Sequence, residues 1–115
     1  MPIDRNRESW KPGEPWERAV DDIEYIRGLT REMGGPERIE RQHRGGRYTI
    51  YERIDKIVDP GSFVEASPLV GAAVYDENGN LVEFTPGAYV MGLAEIDGRS
   101  VAIGGDDFTI SGGSP

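Results

Sequence analysis

From Trp16 onward the apolar residues recur at three- and four-residue steps: Trp16, Ala19, Val20, Ile23, Ile26, Leu29 and Met33. That spacing draws one apolar stripe along a helix, which Gly34 and Gly35 stop. The stripe is expected to be packing surface. Pro36 suits the first position of a second, short helix, PERIERQHR, closed by Gly45-Gly46. In TIYERIDKIVDPG, Thr49 and Glu52 have capping-box spacing, so the threonine hydroxyl and the glutamate each satisfy one orphan N–H of a third helix. Ile50, Ile54, Ile57 and Val58 supply its expected buried face, and Asp59-Pro60-Gly61 ends it.

Beyond Pro60 the period changes. Ser62–Ala66 is compatible with a short strand, and Asp76–Asn80 with a loop tip. AYVMGLAEIDGRSVAIGG places β-favouring residues on both sides of Asp97-Gly98, a dipeptide suited to a type I′ hairpin turn. Phe108–Ile110 is expected to add a third strand. Residues 1–15 hold KPGEP, whose prolines and glycine forbid a helix interior. The chain therefore divides into an extended arm over 1–15, a helical segment over 16–58 and a β-rich stretch over 59–115. The fold class is α+β, helices first and strands after.

Composition narrows the chemistry. With no cysteine and a single histidine, His43, the chain can form neither a disulfide nor a thiolate or multi-histidine metal site. No apolar run approaches the ~20 residues of a membrane span, which places the expected location in the cytoplasm. Net charge is −8. Residues 1–58 carry 12 acids and 12 Lys or Arg, whereas residues 59–115 carry 9 acids and Arg99 alone. Such a balance argues against nucleic acid as partner, because phosphate contacts need clustered cations.

Candidate chemistry is sparse. Asp106 and Asp107 are adjacent, but strand neighbours point to opposite faces, so a shared-proton pair is not expected. His43 reads as a solvent-exposed helix residue. Arg38, Arg41, Arg44 and Arg47 recur every third residue on a partly shared face, which suits either a salt-bridged surface or a site for anionic groups. Gly112, Gly113 and Ser114 end an apolar run in a turn where backbone N–H groups can approach a ligand.

Taken together, MGGPERIERQHRGGRYTIYERIDKIVDPGSFVE (Met33–Glu65) and PGAYVMGLAEIDGRSVAIGGDDFTISGGS (Pro86–Ser114) resemble the opening of the carboxyltransferase (beta) subunit of biotin-dependent acyl-CoA carboxylases. The carried motifs are a Gly-Gly-x-x-x-Ile-x-x-Gln helix, Thr-x-x-Glu-Arg-Ile, Gly-Ser-Phe-x-Glu, an Ile-Asp-Gly-Arg hairpin and Asp-Phe-Thr-x-x-Gly-Gly-Ser, in that order. Tyr51 stands where the family often has Arg or Lys, and Pro115 where Leu-Gly is usual.

The resemblance implies the start of a crotonase-like ββα superhelix. In that family carboxylate passes from carboxybiotin, delivered by a carrier domain, to the α-carbon of an acyl-CoA. It implies that this chain is the N-terminal part of such an enzyme, inactive alone, holding no cofactor and no catalytic residue itself. Gly112, Gly113 and Ser114 would then shape a strand-to-helix crossover beside the acyl-CoA site, and the four arginines would be available to CoA phosphates or a partner. The implied partners are the rest of the carboxyltransferase or a companion subunit, and a biotin carboxylase with its biotin carrier. The alternative is a small non-catalytic subunit that docks on a larger carboxyltransferase.

Overall fold

The computed structural model describes residues 3–114. Residues 3–15 carry no helix or strand but are tied down at several points. The Asp22 carboxylate accepts the Trp10 N–H and pairs with Arg7, each at 2.5 Å, and Asn80 accepts from Ser9 N at 3.0 Å and Lys11 Nζ at 2.7 Å. Helix α1 runs Trp16–Arg31, α2 Pro36–Arg44 and α3 Ile50–Ile57. The capping box on α3 is complete, with Thr49 Oγ1 accepting from Glu52 N at 3.3 Å and Glu52 Oε1 from Thr49 N at 3.2 Å.

Five strands follow: β1 Val64–Ala66, β2 Gly71–Tyr75, β3 Leu81–Pro86, β4 Tyr89–Ile96 and β5 Arg99–Asp106. They form an antiparallel sheet of order β1-β4-β5 and a separate β2-β3 hairpin. The Asp97-Gly98 turn has positive φ at both residues, 50° and 77°, as a type I′ turn requires. The core lies where Ile50, Ile54 and Val58 meet Val90 and Ala94, with Met33, Phe63, Ile96, Val101 and Ile103 around them. Alternation along β4 sends Val90, Gly92 and Ala94 inward, and Tyr89, Met91 and Leu93 outward.

Three expectations need correction. Phe108–Ile110 is a turn, because β5 ends at Asp106 and Asp107 bends the chain through local bonds to Thr109. Ile57 is 56% exposed: the four-residue row Ile50, Ile54, Val58 faces the sheet, and Ile57 lies on its flank. Along the stripe of α1, Leu29 is buried, but Trp16 is 77% exposed and Val20 and Ile23 are also exposed: that end packs on the arm alone, with the Trp10 ring stacked on Trp16 at 5.9 Å, and not on the sheet. The β2-β3 hairpin around Asp76–Asn80 is an element that the sequence reading supplied only as a loop tip.

Candidate ligand site at the Ser111–Gly113 turn

The end of β5 is locked before the turn begins. Asp107 N donates to Ala88 O at 2.7 Å, and the buried Asp107 carboxylate accepts from Thr109 N at 2.9 Å and Thr109 Oγ1 at 2.6 Å. Thr109 Oγ1 in turn accepts the N–H of Gly34 at 2.9 Å, and Thr109 O accepts from Arg38 Nη1 at 3.4 Å. A Cβ on Gly34 would sit 1.9 Å from Thr109 O, so only glycine admits this approach of the α1–α2 junction to the turn. Asp106 is exposed while Asp107 is buried, and the two carboxylates form no dyad.

The turn then coils left-handed through Ser111, Gly112 and Gly113, with φ of 45°, 62° and 82°. Gly113 N donates to Ile110 O at 2.8 Å and Ser114 N to Ser111 O at 3.1 Å, closing a short 3-10 turn. Two concavities meet there. One, of about 600 Å³, is mostly apolar and is lined by Val70, Pro86, Tyr89 and Ile110, with Gly113 and Ser114 on its wall. The other, of about 440 Å³, is lined by Arg38, Arg41, Gln42, Arg47, Phe108 and Gly112. Ser111 borders both.

The structure thus brings three of the four candidate arginines beside the candidate glycine turn. Arg44 is not among them and pairs instead with Glu40 at 2.8 Å. His43 is exposed, yet it has a partner that its sequence neighbours do not suggest: its Nε2 lies 2.5 Å from Glu52 Oε1. The His43 bond and the Thr49 cap together hold the Glu52 carboxyl below its ordinary value of 4.5.

A second polar cluster escaped sequence reasoning altogether. Tyr51 Oη donates to Glu65 Oε1 at 2.7 Å, Arg31 Nη2 lies 3.5 Å from Glu65 Oε2, and the Arg31 guanidinium sits 5.0 Å from the centre of the Tyr51 ring. Burial, and then the Glu65 bond, push the Tyr51 phenol above its usual range. Its members come from α1, α3 and β1, so no local spacing marks them. Among the described residues no group of three His, Asp or Glu side chains is placed to hold a metal, and no helix is long and apolar enough to cross a membrane.

Comparison with known proteins places the fold in a family. Residues 41–115 match the model of the carboxyl transferase domain. The mitochondrial propionyl-CoA carboxylase beta chain of Homo sapiens is 40% identical over 83 residues, which are 70% of this chain and 15% of that one. The methylmalonyl-CoA decarboxylase subunit alpha of Veillonella parvula is 38% identical over 81 residues, 70% of this chain and 16% of that one. The chain therefore spans roughly a sixth of the length of these curated relatives. A crystal structure of transcarboxylase 12S, a hexamer with methylmalonyl-coenzyme A and methylmalonic acid bound, superposes with a TM-score of 0.73 at 30% identity, covering 91% of this chain and 20% of that one. Helices followed by strands, superposing on transcarboxylase, are the crotonase-like opening that the resemblance implied. The match over residues 41–115, well over half of the chain, makes this protein a member of the carboxyl transferase domain family.

Proposed function

We propose that the chain forms one wall of an acyl-CoA carboxyltransferase, in which a carboxyl group leaves carboxybiotin and joins the α-carbon of an acyl-CoA as that carbon gives up a proton. The observation that carries this is the family match over residues 41–115, which spans the site turn. On this reading Gly112, Gly113 and Ser114 lie beside the acyl end of the substrate, and the remaining walls come from further polypeptide. Asp106 brings a carboxylate to the edge of the larger concavity and no Asp or Glu lines the other; on this reading the chain stays inactive until the remaining walls are supplied. Its partners would be the rest of the transferase and the subunits that charge and carry biotin, in the cytoplasm.

A second reading is a docking subunit without a catalytic part. It is favoured by the open outer face of the β1-β4-β5 sheet, where Val64, Tyr89, Met91 and Leu93 are exposed. One experiment separates them. The chain is combined with a propionyl-CoA carboxylase beta chain that lacks the matching segment, and separately with the intact beta chain, and carboxyl transfer from carboxybiotin to propionyl-CoA is measured. Restored transfer with the shortened chain is expected. Binding to the intact chain with no gain in transfer supports docking instead, and absence of both sinks the first reading.

A further inference from the structure

The outer face of the β1-β4-β5 sheet is apolar in register across all three strands. Val64 lies opposite Leu93 and Leu93 opposite Ala102, while Ala66 lies opposite Met91 and Met91 opposite Gly104. All six are exposed, Leu93 to 66%. Helix α3 covers only the opposite face, through Ile50 and Ile54. A contiguous apolar band of this kind marks a surface that is covered when the protein is at work.

The relief of the face gives it a direction. Large side chains stand along β4 at Tyr89, Met91 and Leu93, whereas β5 offers only Ala102 and Gly104. Tyr89 Oη and Met91 Cβ lie 2.7 and 3.0 Å from the place a Cβ would take on Gly104, so both side chains lean over a floor that glycine leaves open. The result is a trough of two adjoining concavities, about 330 and 520 Å³, which share Leu93 and Ala102.

Both ends of the trough are acidic. Glu95 closes one end opposite Ser100, and Asp106 the other opposite Tyr89, all of them exposed. The ion pairs among the described residues involve neither carboxylate. Arg99, the one cation of residues 59–115, falls on the other face by strand alternation. A second copy of the chain is a poor occupant: laid parallel it sets Glu95 against Glu95, and laid antiparallel it sets Glu95 against Asp106.

We infer that the trough receives an amphipathic helix of a partner protein, apolar along one side and carrying Lys or Arg at both ends of that side. The rows of Tyr89 and Glu95 are six residues apart on β4, a span of roughly 20 Å, which a helix crosses in about 13 residues. A helix about 10 Å across also matches three strands spaced about 4.8 Å apart. It brings its own backbone bonds, whereas a lone strand laid on a sheet face leaves its N–H and C=O groups unpaired. This assignment goes beyond both readings of function, because it rests on the face and its two acids alone.

Fluorescence anisotropy with the full 115-residue chain tests it. The probe is a labelled helical peptide of about 14 residues with a leucine stripe and lysines at each end, and the comparison peptide has glutamates in place of the lysines. The lysine peptide is expected to bind at least about tenfold more tightly at low salt and to lose most of that advantage at about 0.5 M salt. Leu93→Asp should weaken it about tenfold or more, and Val20→Asp, on the exposed stripe of α1, by less than about twofold. Glu95→Gln/Asp106→Asn should erase most of the preference for lysine ends, and it replaces Leu93→Asp if that variant loses its circular dichroism. No binding of the lysine peptide at about 0.1 mM, equal affinity for the two peptides, or equal losses in Val20→Asp and Leu93→Asp would overturn the inference. So would a dimer in sedimentation that Leu93→Asp dissolves, which gives the trough to a second copy. Carboxyl transfer enters none of these readouts, so their failure leaves the proposed function standing.

Discussion

The carboxylate of Asp59, just past α3, accepts the N–H of Gly98 at 2.8 Å across 39 residues of chain, and that of Asp97 at 2.9 Å. Asp59 N also donates to Glu95 O at 2.7 Å, so one residue fixes both the tip and the flank of the β4-β5 hairpin. Removing these acceptors by Asp59→Ala should cost about 1–2 kcal/mol, the range for charge-assisted bonds discounted for solvent exposure. Asp59→Asn should cost less, because a neutral acceptor remains. Urea unfolding of the two variants checks the order, and equal losses would show that the charge contributes nothing.

Thr49 holds the start of the helix that carries the core. Thr49→Ala should lower stability by about 1 kcal/mol, and Thr49→Ser should recover most of it by keeping the hydroxyl. A valine, closer to threonine in shape, should behave like the alanine. Thermal melts of the three variants decide whether the hydroxyl or the bulk matters.

Acid should loosen the same corner. Glu52 has a lowered carboxyl pKa, chiefly through His43. Its contribution is therefore complete above the ordinary value of 4.5 and is lost as pH falls through the lower, folded-state value. Asp22 adds in the same direction: burial opposes its ionisation, but the Trp10 N–H, Arg7 and Arg18 outweigh burial and lower its pKa. His43→Ala should flatten the decline in stability below pH ~5, as measured by denaturant midpoints over a pH series. An unchanged profile would dissociate Glu52 from acid sensitivity.

Gly34→Ala tests the clamp on the site turn. The new methyl would meet Thr109 O at 1.9 Å, so the turn must move or the helix junction must open. A loss of about 1–3 kcal/mol is expected, as for other overpacked positions. Amide exchange should rise at Gly113, whose N–H closes the turn. A variant as stable as the parent, with unchanged exchange, would refute the clamp.

Tyr51→Phe removes the one hydroxyl that, among the described residues, reaches Glu65, whose side chain is only 10% exposed and whose Oε2 already lacks a hydrogen-bond donor. A cost of about 1–3 kcal/mol follows from leaving that acceptor unmatched. The raised phenol pKa also sets a sign at high pH. The unfolded chain ionises Tyr51 near its ordinary value of 10.0 while the folded chain resists, so stability declines as pH rises past that value. Absorbance titration should show one of the five tyrosines ionising only with unfolding in the parent and not in the variant.

What the sequence made legible were features closed within a few residues. The Thr49–Glu52 box, the Asp97-Gly98 turn and the glycine stop of α2 each depend on neighbours in the chain, whereas α1 ends at Arg31, ahead of Gly34-Gly35, and Met33 falls in the turn with φ of 54°. The β2-β3 hairpin escaped because β2 opens Gly71-Ala72-Ala73, with neither β-branched residues nor a buried face to set a period of two. Phe108–Ile110 misled for the opposite reason, since its side chains favour strands but Asp107 captures Thr109 locally. Arginine spacing suggested an anion site without saying which members would join it. Arg44 is removed by Glu40 one turn earlier, and Arg47 is brought in beyond the end of α2 by the Gly45-Gly46 turn. The Arg31–Tyr51–Glu65 cluster had no signature, because three separate elements create it.

The strand order β1-β4-β5 has a consequence for how the chain is made. β1 is an edge strand and its partner β4, the centre of the sheet, comes later in the chain: Val64 must wait for Leu93. Until then the apolar row of α3 has no sheet to cover it, and Ile50 and Ile54 stay open to water or to a chaperone. The β4-β5 hairpin is the local contact, whereas β1 reaches β4 across 29 residues and Asp59 reaches the hairpin tip across 38 and 39, so loop-closure entropy favours the hairpin ahead of both.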